Sequence, residues 1–406
     1  MLCGYVVMMV FIFILFFAPS TAVLLVGELL CGIPWGVFTT LPAAYASEVT
    51  PLVLRGYLTS YINLCWVFGQ LIAAGVLQGL QKSRTDEWAY RIPFAIQWIW
   101  PIPLFVAMCF APESPWWLIR QGRIMEAEKS LRRLSKESPE TDSKQILAMM
   151  IHTNELEKEV KVGTSYLDCF KGVDRRRTEI CTVAWASQTL AGLIFAQYAT
   201  YFFQQAGMSV SDAFKMNLGY NGLAVVGTVS SWALITYWGR RTIYLSGLIV
   251  LTSLMFIIGF LSLAPSTNQG SIWAQATLLL VWIFFYDLTI GPIAFVIVSE
   301  TSATRLRIKT LAIARNTQNL CSILAYIINP YMLNPTEGNW KGKTGFFWGG
   351  ISLCCTLWTF FRLPEAKGRT YEELDILFQN RVKARNFKRY EIDAYHAERN
   401  IVEVAK

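Results

Sequence analysis

Histidine is almost missing from this sequence, and charge of either sign is scarce. The two histidines, His152 and His396, both sit in polar stretches, which leaves a His-based catalytic centre unsupported. Nine cysteines are present, but eight fall within or at the edges of apolar runs and the ninth, Cys169, lies in a polar loop. Neither a disulfide framework nor a Cys/His zinc spacing can be read from them. No pairing of nucleophile with base supports an enzyme, and no cofactor is implied. Charged residues make up 16% and apolar residues 54%, with a mean hydropathy of +0.37. Soluble domains average about 25% charged and roughly 45–50% apolar, so an ordinary soluble domain is excluded and a membrane protein is indicated.

What the chain has in quantity is apolar runs of about 20 residues, the length that crosses about 30 Å of hydrocarbon as a helix. Ten are counted, at 1–17, 21–46, 58–80, 91–110, 178–203, 213–235, 243–264, 271–298, 310–333 and 343–362. They predict an all-α polytopic membrane protein. With Met1 on the cytoplasmic side, the inner loops and tail carry 29 Lys and Arg and the outer loops carry 6. That asymmetry places both termini in the cytoplasm. It also accounts for the net charge of +8. Because the basic residues are spread over short loops, lipid head groups rather than nucleic acid are the expected partner.

The chain repeats itself. LPAAYASEVTPLVLRG at 41–56 has a counterpart in GPIAFVIVSETSATRLR at 291–307, so that Ser47, Glu48 and Arg55 correspond to Ser299, Glu300 and Arg307 at an offset of 252 residues. Pro112-Glu113 and Pro364-Glu365 keep the same offset. Two related halves follow. In the second half three runs precede the one ending at Glu300, whereas one precedes the run ending at Glu48. By its own repeat, the chain is expected to lack roughly 75 residues ahead of Met1, two whole spans and the start of a third.

A few polar residues interrupt the runs. Glu28 lies seven residues into the second run, and Asp287 lies four residues before Gly291-Pro292, a pair that disrupts a helix. An intramembrane carboxylate costs a few kcal/mol, about 2.5–3.5 near a helix centre, so Glu28 is expected to face a cavity or partner. The alternative is a Glu snorkelling at the outer interface. Arg315, Asn316, Gln318 and Asn319 fall in the ninth run, where a buried Arg is expected to pair with a buried carboxylate. Amides such as Gln188 and Gln197 supply donors and acceptors for a hydroxyl-rich solute, but they serve equally as packing between helices. Residues 111–177 carry helical spacing of apolar residues, predicting two or three amphipathic helices on the cytoplasmic face. A solvated linker is the competing reading.

Several motifs, in this order, resemble the sugar porters of the major facilitator superfamily. They are PAAYASEVTPLVLRG, PESPWWL, QTLAG at Gln188–Gly192, WGRR, GPIAFVIVSE with RLR, and PEAKG. GELLCGIPWG, YATYFFQQAG, FFYDLTIGP and LAIARN narrow the resemblance to the fungal α-glucoside–proton symporters of maltose permease type. The resemblance implies two six-helix bundles rocking about a central site, with about ten of twelve transmembrane helices present. An incomplete N-terminal bundle of four spans would occupy 1–110, a cytoplasmic loop 111–177, a six-helix C-terminal bundle 178–363 and a cytoplasmic tail 364–406. It implies a plasma-membrane carrier importing an α-glucoside such as maltose with protons. By the same resemblance, Glu48, Arg55, Glu113, Arg240, Arg241, Glu300 and Arg307 form the cytoplasmic gating network. Gln70, Gln188, Gln318, Asn63 and Phe295 contact the sugar, and Glu28 takes the proton with Asp287 and Arg315 setting its affinity. Thr189, Ile194, Asn63 and Phe295 depart from the hexose-carrier pattern and favour a disaccharide. A hexose facilitator, a non-transporting sugar sensor and an inactive fragment stand as alternatives.

Overall fold

The computed structural model of the chain describes residues 1–50, 52–83, 86–134, 143–159, 165–205, 209–264, 269–303, 306–369, 371–388 and 390, with a few side chains inside these ranges, Ser47 and Arg55 among them, outside the described set. All regular structure among the described residues is helical. The chain divides into two compact units, Met1–Leu58 with Ile72–Thr164, and Thr59–Leu71 with Ser165–Lys406. The middle of one long helix therefore belongs to the second unit.

In the first unit, α1 (Leu2–Phe16) packs against α2 (Thr21–Val49), which starts where the Ser20 hydroxyl accepts the Val23 N–H. Pro34 and Pro42 sit inside α2. α3 (Leu52–Ser83) follows, and the expected span 91–110 is divided into α4 (Trp88–Ile96) and α5 (Pro101–Phe110) around a short 3₁₀ turn. Pro101 and Pro103 cannot donate to the preceding turn, so the helix restarts there. The loop 111–177 is no featureless linker. It holds α6 (Pro115–Arg120), α7 (Ile124–Leu134) and α8 (Ser143–Glu159), and Leu118, Ile119, Ala127, Leu131, Leu147 and Met150 form a small core between them.

The second unit starts its first span earlier than expected, at Gly172. α9 (Gly172–Gln188) passes through a π turn at Thr189–Leu193 into α10 (Ile194–Gln197) and α11 (Ala199–Gln205). Gly192 at φ 105° causes this break, since that conformation suits only glycine and an added Cβ would lie 2.5 Å from Met255 Cε. The span expected as one helix over 178–203 is thus broken at its polar residues. α12 (Val210–Tyr237), α13 (Arg240–Leu261), α14 (Gln269–Leu288), α15 (Ile290–Thr301), α16 (Arg307–Leu333) and α17 (Thr344–Arg362) complete the bundle.

Burial separates central from peripheral helices: Trp273–Thr301 and Gly172–Tyr201 are mostly buried, whereas hardly any residue of Trp88–Phe110 is. Exposed apolar side chains such as Phe110, Leu29 and Ile33 are what a helix shows to hydrocarbon rather than to water. After Pro364 the chain folds back through α18 (Tyr371–Gln379), burying Leu374, Leu377, Phe378 and Phe387, and Asp375 pairs with Arg177.

Candidate functional site

The second unit contains a polar cleft organised by the two helix breaks. Pro292, third residue of α15, has no N–H to give Leu288, so α14 ends there and Thr289 takes φ −124°, ψ −79°. The Thr289 hydroxyl donates to Phe285 O at 2.6 Å, which keeps the break from leaving that turn unsatisfied. The broken turn frees backbone carbonyls inside the bundle. Gly291 O accepts the Gln188 side-chain amide at 2.8 Å, so the α14–α15 break and the π turn after α9 are tied together.

From Gln188 the polar contacts continue. Gln318 Nε2 donates to Gln188 Oε1 at 2.9 Å, and Arg315 Nη1 donates to Gln318 Oε1 at 2.6 Å. Each amide is thereby fixed in orientation, because its oxygen accepts while its nitrogen donates. The Arg315 guanidinium lies over the rings of Trp66 and Trp185, 5.6 and 5.7 Å from their centroids, a favourable cation–π arrangement. The expected pairing of Arg315 with a buried carboxylate is not found among the described residues. Gln318, one turn from Arg315 on the same helix, meets the guanidinium instead, and the two indoles cover its faces.

Asp287 is 3% exposed. Its Oδ1 accepts from Asn63 Nδ2 at 2.9 Å and lies 3.4 Å from Thr228 Oγ1, a hydroxyl that also has Ala224 O at 3.0 Å. Asp287 lines the cleft with Asn63, Gln188 and Gln318. Close approach of Asn63 and Asp287 depends on Gly291, where a Cβ would be 3.1 Å from Asp287 Oδ1 and 3.2 Å from the Asn63 amide. The cleft encloses about 170 Å³, below the several hundred Å³ of most small-molecule sites.

The residues expected to touch a ligand fall as follows. Asn63, Gln70, Gln188, Gln318 and Phe295 all line this cleft, with Gln70 exposed and Phe295 set edge-on against Trp185 at 5.7 Å. Thr189 and Ile194 line it too, and Thr189 Oγ1 is 3.0 Å from Ser322 Oγ. Asn316 and Asn319 of the ninth run are exposed, and Asn319 lines the cleft. Glu28 is an exposed residue of α2 in the first unit and lines no part of this cleft. Tyr220 was not anticipated: it lines the cleft, and its buried hydroxyl has no partner among the described residues. Its neighbours in GYNG give only a weak signal.

The expected gating residues are drawn from both units. In the first unit Glu48 accepts from Ser114 Oγ at 2.6 Å and from Arg120 Nη1 at 3.2 Å. Glu113 is exposed, its backbone oxygen accepting the Ser130 hydroxyl; the Arg55 side chain lies outside the described residues. In the second unit Arg240 forks onto Glu300 with contacts of 3.1 to 3.3 Å. Glu365 accepts the backbone N–H groups of Arg240 and Arg241 at 2.8 and 3.2 Å, capping α13. Arg241 Nη2 donates to Phe360 O, and Arg307 is buried.

The model of the family described as sugar (and other) transporter matches residues 1–378. An alpha-glucosides permease of Saccharomyces cerevisiae is 44% identical over 391 residues, covering 95% of this chain and 65% of that protein. A maltose permease of the same yeast is 44% identical over 396 residues, 95% of this chain and 64% of that protein. A general alpha-glucoside permease, also from this yeast, is 41% identical over 390 residues, 95% and 63% respectively. The chain therefore spans a little under two thirds of the length of these curated relatives. Among solved structures, the proton:xylose symporter XylE, of the major facilitator superfamily, aligns with a TM-score of 0.76 at 22% identity, covering 93% of this chain and 83% of that one. A partially occluded inward-open form of XylE from E. coli gives 0.67 at 20% identity, covering 90% and 81%. These likenesses show the fold.

Proposed function

The chain belongs to the sugar transporter family, with an all-α major facilitator fold of many membrane-spanning helices, and from that premise we propose that it moves an α-glucoside such as maltose together with a proton. The plasma membrane is the proposed location, with alternating access as the mechanism and both termini in the cytoplasm. The observation that carries the reading is the polar line Arg315, Gln318, Gln188 and Gly291 O beside the buried Asp287. Amides and a guanidinium supply oriented donors for sugar hydroxyls, Trp66 offers an apolar ring face, and the carboxylate offers a proton site close by. The names of the 44% and 41% identical yeast permeases support the α-glucoside class. Gating is proposed for the Glu300–Arg240 and Glu48–Arg120 contacts, together with Arg55, Glu113, Arg241 and Arg307. The first proton acceptor is proposed to be Glu28 or Asp287, of which Asp287 has the cleft around it.

The cleft volume of about 170 Å³ favours a second reading, a hexose facilitator. Purified chain in proteoliposomes tests both. Maltose is expected to quench Trp66 emission and to accumulate when the outside is acidified, with glucose a poor competitor. Equal competition by glucose supports the hexose reading, and absence of binding by either sugar ends both.

A further inference from the structure

A second cavity of about 510 Å³ lies away from the sugar cleft, between the start of α9, the end of α17 and the returning tail. Its lining is strongly cationic: Arg176, Arg362, Arg381, Lys383 and Arg385. Among the described residues the carboxylate paired with this group is Glu179, which takes a two-point contact from Arg362 and the Trp358 indole N–H at 3.2 Å. The walls are fixed by contacts unconnected with the sugar cleft. Arg176 Nη1 donates to Val382 O at 2.7 Å, and its guanidinium lies over the Phe378 and Phe387 rings. Arg385 sits over Phe360 and Phe361, 4.3 and 4.9 Å from their centroids. Arg381 and Lys383 are exposed and their side chains make no hydrogen bond or ion pair among the described residues.

An excess of four positive charges around one cavity sets up a local positive potential that attracts an anion. The volume exceeds what a single phosphate fills. Below the cavity, Leu353, Leu357 and Phe361 follow one another at four-residue spacing down α17, exposed by 43%, 53% and 60%. Residues at that spacing share one helix face, so the cationic cavity opens onto a continuous apolar stripe of a membrane-spanning helix. A soluble anion would use only the first of these features. We propose that this cavity is a binding site for the polyanionic headgroup of a phospholipid, of the phosphorylated-inositol class, with its acyl chains laid along Phe361, Leu357 and Leu353. The headgroup would clamp the tail segment 381–385 to the start of α9. The abundance of basic residues on the loops of this side is the ordinary signature of a membrane face rich in anionic lipid.

The test uses the whole chain in detergent, with binding read by thermophoresis for dioctanoyl phosphatidylinositol bisphosphate, dioctanoyl phosphatidylcholine and free inositol trisphosphate. The inositol lipid is expected to bind saturably and the phosphatidylcholine not to bind. The double variant Arg381→Gln/Lys383→Gln, at exposed positions outside the sugar cleft, is expected to weaken lipid binding about thirtyfold, at about fivefold per cation. Arg385→Gln serves as a second variant with an expected loss of about fivefold. Equal binding by wild type and both variants, or by the two lipids, overturns the assignment. Inositol trisphosphate binding as tightly as the lipid overturns it in favour of a soluble polyanion.

Discussion

Replacing Asp287 with Asn separates the two tasks assigned to the cleft. Asp287 Oδ1 is approached by Asn63 Nδ2 at 2.9 Å and Thr228 Oγ1 at 3.4 Å, while Oδ2 has no hydrogen-bond partner among the described residues and the residue lines the cavity. Asparagine keeps an oxygen at the Oδ1 position, so both donors retain an acceptor. Hydrogen bonds to a charged oxygen contribute about 1.5–3 kcal/mol and neutral ones about 0.5–1.5, so the exchange costs about 1 kcal/mol per bond. Removing a buried charge offsets this by a comparable amount. Asp287→Asn is therefore expected to unfold within a few degrees of wild type. Asp287→Ala, which strips the acceptor from Asn63 and opens a cavity, is expected to lose about 2–4 kcal/mol. Function diverges from stability. One proton moved per sugar across a gradient of one pH unit supplies about 1.4 kcal/mol, or about tenfold accumulation. In proteoliposomes, wild type is expected to reach about that ratio for maltose, and Asp287→Asn to exchange labelled maltose without accumulating it. Undiminished accumulation by Asp287→Asn would refute Asp287 as the coupling group, and Glu28→Gln is the variant to measure next.

Gln188→Ala removes two hydrogen bonds and leaves Gly291 O and Gln318 Nε2 unpaired, so thermal unfolding should register a loss of about 2–5 kcal/mol and maltose binding should weaken more than tenfold. An unchanged melting temperature would mean that water replaces the amide. Gly247→Ala would bring a Cβ within 2.2 Å of Thr289 Oγ1, and the resulting overpacking is expected to destabilise by about 1–3 kcal/mol, read by the same unfolding assay. Arg307→Ala is expected to shift the protein toward inward-open, seen as faster labelling of cysteines placed in the inner cavity; an unchanged labelling rate contradicts a gating role. Glu365→Ala should cost about 1–2 kcal/mol through loss of the cap on α13, whereas Glu365→Gln, which keeps an acceptor, should recover most of it.

Much of the architecture was written in local chemistry. Apolar runs as long as the hydrocarbon layer is thick determine where helices cross, because backbone groups in lipid must be satisfied within the helix itself. Nine of the ten expected runs overlap helices long or apolar enough to be recognised as spans, or in the case of 1–17 a shorter apolar helix, and 310–333 lies within α16. The Gly291-Pro292 pair likewise announced a break, since proline withholds an N–H and the glycine before it adds backbone freedom, whereas Pro34 and Pro42 stay inside α2. The family, too, was legible, because its charged frames sit at fixed spacing along the chain. Partner choice was not. Arg315 meets Gln318 three residues along its own helix, a contact that local spacing allows, whereas whether a buried carboxylate also came within its reach depended on how helices far apart in sequence approach one another. Asn63 shows the same: 224 residues separate it from Asp287, and no local pattern pairs them. The break at Gly192 and the fold-back of 371–388 over a basic cavity also required packing, since a positive φ and a buried Phe378 have meaning only against the neighbours that hold them.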